Sequence, residues 1–439
     1  MTFKKSMVNM AVSSALIFIA GQAGASGFAL IEQGSGLGNA FAGGAASAED
    51  ATTVFFNPAG MSRLSGKQMS VGASAITPSA KFSDSGSTGA VLQPAGGNGG
   101  DAGGTALVPN GYFTMEIDPA LHFGFGVNVP FGLQTDYDAN WIGRFQAIKS
   151  KLEAINLNPS VSYQLNDSVS VGGGLNYQRV SGELTSAVNY SAAAFAAGGA
   201  PLLGAIGGSG VEGVSTMTGS DSAWGYNLGA LFEMSQDTRV GVAYRSQMKY
   251  TLSGTINFSG VPAPLAASPL LANGDVILPI TLPDSFSVSA FHKMNNGWDV
   301  MADASWTGWS VFKELKIDRT NGSNVQTVQE NWKDTWRFSA GANYHYNDQW
   351  LARVGVAYDQ APVSDAYLTA RIPDNDRTWL TLGGQYKPSR ESVFDFGYAH
   401  LFVKDPTIAD NQAAGGKGNL VGNYSNSVDI VSVQYGYKF

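Results

Sequence analysis

The chain of 439 residues contains no cysteine. Disulfide scaffolds, thiol chemistry and Cys-ligated zinc are therefore excluded. Charge is also scarce, at 14% of residues, with a formal net charge of −8. Disorder needs low hydrophobicity together with high net charge, so this composition argues for a folded protein. An acidic balance disfavours nucleic acid, whose phosphates require a basic surface. Histidine is limited to His122, His292, His345 and His400. None has the Ser or Asp spacing of a barrel hydrolase, so the sequence reads as a non-enzyme with no cofactor and no metal site. Past residue 25 no apolar run is long enough to cross a bilayer as a helix.

What is present is a leader, a small-residue segment and a long series of alternating stretches. Lys4 and Lys5 precede an apolar run over 7–20 and then Ala23-Gly24-Ala25. That order predicts a secretory signal peptide over 1–25, with a mature chain that starts at Ser26. The chain is therefore expected in the cell envelope. Residues 26–63 are rich in Gly and Ala and too thin to build a core of their own.

From residue 67 onward, apolar and polar residues alternate in segments of about ten, as in strands with lipid on one face and water on the other. Leu121, Phe123, Phe125 and Val127 alternate with His122, Gly124, Gly126 and Asn128; Trp224, Tyr226, Leu228 and Phe232 continue the pattern. Val240, Val242 and Tyr244 form one apolar face with Met248, Tyr250, Leu252 and Ile256, opposite Arg239, Arg245 and Lys249. Soluble sandwiches alternate as well. Three features favour a membrane barrel: aromatics at the ends of the apolar faces, connections that are short and long by turns, and a last strand ending in Tyr435, Tyr437 and Phe439.

The expected fold is all-β: a transmembrane antiparallel β-barrel of about fourteen strands over 67–439, preceded by an N-terminal hatch over 26–66. The strands are expected near 67–77, 105–117, 120–137, 152–165, 168–185, 223–235, 238–258, 276–293, 297–318, 330–346, 349–360, 376–388, 392–404 and 427–439. A barrel of that width cannot fill its bore with its own strand side chains. Residues 26–66 are the spare segment able to plug it.

Ser26-Gly27-Phe28, Ser35-Gly36-Leu37-Gly38, Phe41-Ala42-Gly43, Glu49-Asp50-Ala51 and Asn57-Pro58-Ala59 stand in the leading segment. Pro130-Phe131-Gly132-Leu133, Leu282-Pro283, residues 306–316 (WTGWSVFKELK), Trp332-Lys333-Asp334 and residues 372–377 (IPDNDR) follow. In that order and spacing they resemble the FadL-type outer-membrane transporters of long-chain fatty acids and other hydrophobic compounds. The resemblance implies a fourteen-stranded barrel with a hatch, in the outer membrane of a Gram-negative bacterium. It implies passive inward transport: capture in an outer apolar groove, transfer to an internal pocket, hatch movement, and release sideways through a kink in the third strand. An aromatic-hydrocarbon importer of the same build, or a structural or adhesive barrel, are the alternatives. The expected partners are a long-chain fatty acid or similar hydrophobic molecule and the membrane lipid; the barrel is expected to be a monomer.

The candidate site residues follow from both readings. For the ligand they are Phe28, Leu30, Phe131 and Trp306, with Lys316 matching a family lysine that meets the carboxylate. The family's second basic residue, late in the fifth strand, is absent; Leu184, Thr185 and Ser186 fill that place. Arg179, Arg245 and Lys249 are the substitutes from the lumen wall. For the hatch and gate they are Asn57, Pro58, Ala59, Pro130, Gly132 and Leu133. Asn-Pro by itself is an ordinary loop turn, but Pro130 cannot donate a ladder hydrogen bond and predicts a local break in pairing. The loops 186–222 and 259–275 are apolar for connections outside a cell. Phe195, Pro201, Leu202, Leu203, Leu265, Leu270 and Leu271 are the candidates for a capture surface.

Overall fold

The computed structural model describes residues 27–439; the expected leader and Ser26 lie outside them. Fourteen antiparallel strands pair in chain order. They are β1 (Lys67–Asp84), β2 (Ala106–Glu116), β3 (Leu121–Asp136), β4 (Lys149–Asn166), β5 (Val169–Asn189), β6 (Glu212–Glu233) and β7 (Thr238–Arg245 and Met248–Phe258). They continue as β8 (Gly274–Leu282 and Ser285–Lys293), β9 (Trp298–Thr307 and Glu314–Arg319), β10 (Asn324–Gln329 and Thr335–His345) and β11 (Trp350–Asp359). The last are β12 (Arg377–Tyr386), β13 (Ser392–Val403 and Thr407–Asn411) and β14 (Asn419–Lys438). Strand β14 returns to β1 in a ladder from Gln68↔Lys438 to Asp84↔Gly422, which closes the barrel. Closure pairs the backbone without an edge, as a wall in lipid requires.

Several strands run past the expected boundaries on the side of the long connections. Strand β1 continues to Asp84, β14 begins at Asn419, and β5 and β6 stay paired as far as Asn189↔Glu212. Much of the expected loop 186–222 is therefore strand, capped by a helix, α1 (Tyr190–Ala205), that kinks at Gly198 and Gly199. The apolar alternation stops where lipid stops. Ladder hydrogen bonds do not depend on it, so a hairpin already in register continues into water.

The two halves of the barrel face their side chains in opposite senses. On the side of the short turns, Leu157, Val161, Leu175 and Tyr177 point out, while Asn156, Asn158, Asn176 and Gln178 are buried inside. Further along the same strands Lys149, Lys151, Glu153 and Glu183 take the outer face, and Leu152, Val180 and Leu184 the inner one. Strands β4 and β5 reverse by changing composition. Strands β7 and β8 reverse by changing phase, at the interruptions 246–247 and 283–284. Val240, Val242 and Tyr244 share the outer face, but Met248, Tyr250 and Leu252 are buried inside. The single apolar face expected along β7 is therefore two faces. The physical reason is a change of solvent: lipid lies outside the lower half, water outside the upper half, and the upper lumen is apolar.

Residues 27–66 form short helical turns: α2 (Gly34–Leu37), α3 (Gly44–Ser47), α4 (Thr53–Phe56) and a 3-10 turn over Pro58–Arg63. A four-residue helix satisfies almost none of its own carbonyls. Here inward-facing side chains of the wall do so. Thr381 donates to the Gly38 carbonyl at 3.0 Å, Arg337 to Ala40 at 2.9 Å, Arg239 to Ala46 at 3.0 Å and Arg245 to Phe55 at 3.0 Å. Glycines of the wall let the backbones meet: a Cβ on Gly383 would stand 2.7 Å from the Gly38 Cα. The segment touches inner faces from β1 through β14 and so lies across the bore.

Candidate functional site

The upper lumen holds an apolar cavity with about 790 Å³ of space between protein atoms, part of it open to solvent. Its walls are Leu152, Leu184, Met217, Leu252, Ile280 and Ile317, and Phe28 is at its base. Phe28 is 1% exposed. Its ring meets Trp309 at 4.7 Å, Trp332 at 5.5 Å, Phe312 at 5.8 Å and Phe131 at 6.1 Å, mostly edge to face. Arg371, Ile372 and Glu330 line the same cavity from connections outside the strand segments. Burial pushes the Glu330 carboxyl up to about 8, against a hydrogen bond from Trp332 Nε1 at 3.0 Å. Burial also draws the Arg371 guanidinium down to about 10.

A second cavity lies beyond the first turns of the leading segment. Ala29, Leu30, Ile31, Phe55, Pro58, Phe131 and Arg245 contribute to it. Residues 27–31 thus stand between the two spaces. They are held as a short strand on β3: the Leu30 N–H donates to the Pro130 carbonyl at 2.9 Å, and the Gly132 N–H to the Phe28 carbonyl at 2.9 Å. Ala29 faces Phe131 in this bridge.

The edge of β3 is open there because β2 has left it. The β2–β3 ladder ends at Gly111↔Val127, and the β3–β4 register shifts between Asn128 and Phe131. The proline removes a donor, and Gly132 lacks the Cβ that would strike Leu30 Cδ1 at 2.9 Å. Glu32 fills the remaining gap by accepting the Val129 N–H at 2.8 Å. Deep burial pushes this carboxyl well above its ordinary range.

Asn57 ties the segment to the wall. Its Nδ2 donates to the Ala45 carbonyl at 2.7 Å and to Ala230 on β6 at 3.0 Å, while its Oδ1 accepts the Ala59 N–H at 3.1 Å. Pro58 opens the 3-10 turn that follows. Arg353 meets Glu49 at 2.8 Å and Asp395 at 3.0 Å, and also donates to the Ser35 carbonyl.

Of the ligand candidates, Phe28 lines the first cavity and Leu30, Phe131 and Arg245 the second; of the gate candidates, Leu133 lines the first and Pro130 the second. Arg245 is committed to Phe55, donating to its carbonyl with its guanidinium 4.7 Å from the ring centroid. Lys316, Arg179 and Trp306 lie elsewhere. Lys316 turns outward, 46% exposed and 3.2 Å from Asp318, because its neighbours Leu315 and Ile317 take the inner phase. Arg179 shares the outer phase of Tyr177 and meets Ser220 at 3.1 Å, and the exposed Lys249 lies opposite Met248 and Tyr250. Trp306 sits in the outward row between Phe286 and Trp336, and the buried tryptophan of residues 306–316 is Trp309.

The sequence reading missed Trp309, Phe312, Glu330, Trp332 and Arg371 as a group. Their signal was the return of aromatics in residues 306–316 and 332–334, where strand alternation is interrupted. The loop candidates do meet: Leu202 of α1 and Leu271 pack on the cluster of Tyr190, Ala194 and Leu265. Phe195 and Leu270 remain 53% and 74% exposed; Pro201 is exposed and Leu203 partly so.

Residues 16–439 match the family described as outer membrane protein transport protein (OMPP1/FadL/TodX). The chain belongs to that family. It is 30% identical over 422 residues to the long-chain fatty acid transport protein of Shigella flexneri, covering 91% of this chain and 93% of that one. It is 34% identical over 420 residues to a 47 kDa outer membrane protein of Pasteurella multocida, covering 91% and 92%. Among solved structures, a Pseudomonas aeruginosa FadL homologue superposes with a TM-score of 0.85 at 27% identity, covering 94% of this chain and all of the other. The Ralstonia pickettii toluene transporter TbuX shares the fold at a TM-score of 0.64 and 22% identity, covering 91% and 96%. The chain is thus an outer-membrane β-barrel of a transport family.

Proposed function

We infer that this barrel carries long-chain fatty acids or similar hydrophobic molecules inward across the outer membrane, passively and as a monomer. The observation that supports this reading is the apolar cavity in the outer half of the bore, with Phe28 at its base. Water-facing lumens are ordinarily polar; an apolar one suits a cargo that leaves water. Each CH₂ taken up contributes about 0.8 kcal/mol of transfer free energy.

The exposed Phe195 and Leu270 beside the joined apolar loops serve as the capture surface. Cargo passes to the cavity, and displacement of residues 27–31 connects it with the wall between β2 and β3. There residues 106–110 and 129–136 have no ladder between them, and release into lipid avoids returning the tail to water. In this reading residues 26–66 act as the hatch and Asn57, Pro58 and Ala59 as its seat.

Native mass spectrometry of the detergent-extracted protein tests the reading, with a co-purified amphiphile in the barrel as the expected result. Uptake of radiolabelled palmitate at low concentration is expected to fall when residues 195–203 are deleted. An empty lumen together with unchanged uptake would refute it.

A further inference from the structure

Glu32 lies where β2 and β3 part. Its backbone carbonyl accepts Ser74 Oγ of β1 at 2.8 Å and Asn110 Nδ2 of β2 at 3.0 Å. Its side-chain Oε1 accepts the Val129 N–H of β3 at 2.8 Å. The last β2–β3 pair is Gly111↔Val127, and Val129 falls in the register break between β3 and β4. Asn110 and Val129 therefore flank the point where pairing ends, and one residue of the leading segment spans them. Val129 is 2% exposed, and a buried N–H without an acceptor is costly.

The carboxyl itself is isolated. Glu32 is 2% exposed, its Oε2 has no hydrogen-bond partner, and no cation stands within 4.0 Å of either oxygen among the described residues. Ser74 and Asn110, which face it from β1 and β2, are neutral. Gln33 Oε1 accepts the Glu32 N–H at 3.2 Å, and Gln33 Nε2 donates to the Tyr112 hydroxyl at 2.7 Å. Tyr112 of β2 is the titratable neighbour, with Arg245 of β7 beyond it. A negative charge here would have no counterion, and burial holds the group protonated well above the ordinary range of a glutamate. The same carboxyl in water is ionised at neutral pH.

We propose that Glu32 is a proton-linked pin: its protonated carboxyl holds the leading segment across the gap between β2 and β3, and lifting it out of the gap gives that proton to water. This rests on the transport reading above, whose hatch it regulates. The closed state keeps a proton that the open state gives up, so rising pH favours opening. Above the ordinary glutamate range the open fraction grows by up to about tenfold for each pH unit, until the closed state also loses its proton.

The test places a single thiol under the pin. Leu30 is 3% exposed, so Leu30→Cys reacts with a charged maleimide when the segment lifts. Rates are measured on the full-length barrel in detergent and divided, at each pH, by those of the exposed control Phe195→Cys. From about pH 5 to about pH 8 the ratio is expected to rise by roughly tenfold or more. Adding Glu32→Gln, which keeps an acceptor for the Val129 N–H but does not titrate, should hold the ratio flat at its low-pH level. Adding Glu32→Ala should give a flat and faster reaction. A flat profile with Glu32 in place, or a rise that survives Glu32→Gln, overturns the pin. If Glu32→Gln does not assemble, hydrogen exchange on the native chain decides. Protection of residues 28–33 that falls with pH, beyond the intrinsic exchange rate, supports the proposal, and constant protection refutes it. Labelling reads the segment without cargo, so failure of the pin leaves the transport reading to its own test, a co-purified amphiphile in the barrel.

Discussion

The Leu30 N–H donates to the Pro130 carbonyl across 2.9 Å, on the edge of β3 that β2 has left. The leading segment therefore takes the place of the missing neighbour strand. Its ladder with β3 is one short bridge between Ala29 and Phe131, beside which Glu32 accepts the Val129 N–H.

The bridge can be locked. Ala29 and Phe131 form a non-hydrogen-bonded antiparallel pair, for which Cα atoms stand about 4.5 Å apart, inside the range for a disulfide. The absence of native cysteine makes the experiment clean. Ala29→Cys with Phe131→Cys should reduce palmitate uptake to background when oxidised and recover it on reduction. Full uptake in the cross-linked form would exclude movement of this segment.

Asn57→Ala should loosen the seat. It leaves the carbonyls of Ala45 and Ala230 without their donor, and an unsatisfied buried group costs about 1–3 kcal/mol. Conductance across planar bilayers is expected to show frequent openings that the wild type lacks, with the barrel's own thermal unfolding little changed.

The wall glycines make a prediction with an internal control. A side chain at Gly383 would enter the Gly38 backbone, so Gly383→Val should displace α2 at a cost of roughly 1–3 kcal/mol. Ala302→Val adds similar bulk to the outer face and should have no effect. Protease sensitivity of residues 27–66 in detergent distinguishes the two variants.

Glu330 fixes the sign of a pH dependence. Its folded value is raised from 4.5 to about 8, so the folded protein retains a proton that the unfolded chain gives up between those limits. The stabilising contribution is fully present below about 4.5 and is lost as pH rises through about 8. The thermal midpoint should therefore decline from about pH 5 to about pH 9, and Glu330→Gln should flatten the decline. An unchanged slope in the variant would contradict the burial of this carboxyl.

The sequence by itself determined the barrel, because period-two alternation, terminal aromatics and turn spacing are local consequences of a wall between lipid and lumen. It also marked the break at Pro130, since a missing N–H needs no tertiary context. It did not determine which side of the wall each residue faces. Two-residue interruptions such as 246–247 reverse the phase of a strand, and whether they do so depends on what lies across the bore. Lys316, Arg179 and Trp306, plausible from their neighbours in the chain, instead keep the outward phase of their own strands, β9 and β5. Trp309, Glu330 and Arg371 meet inside because connections far apart in sequence fold back over one apolar space, an arrangement that only tertiary packing could decide.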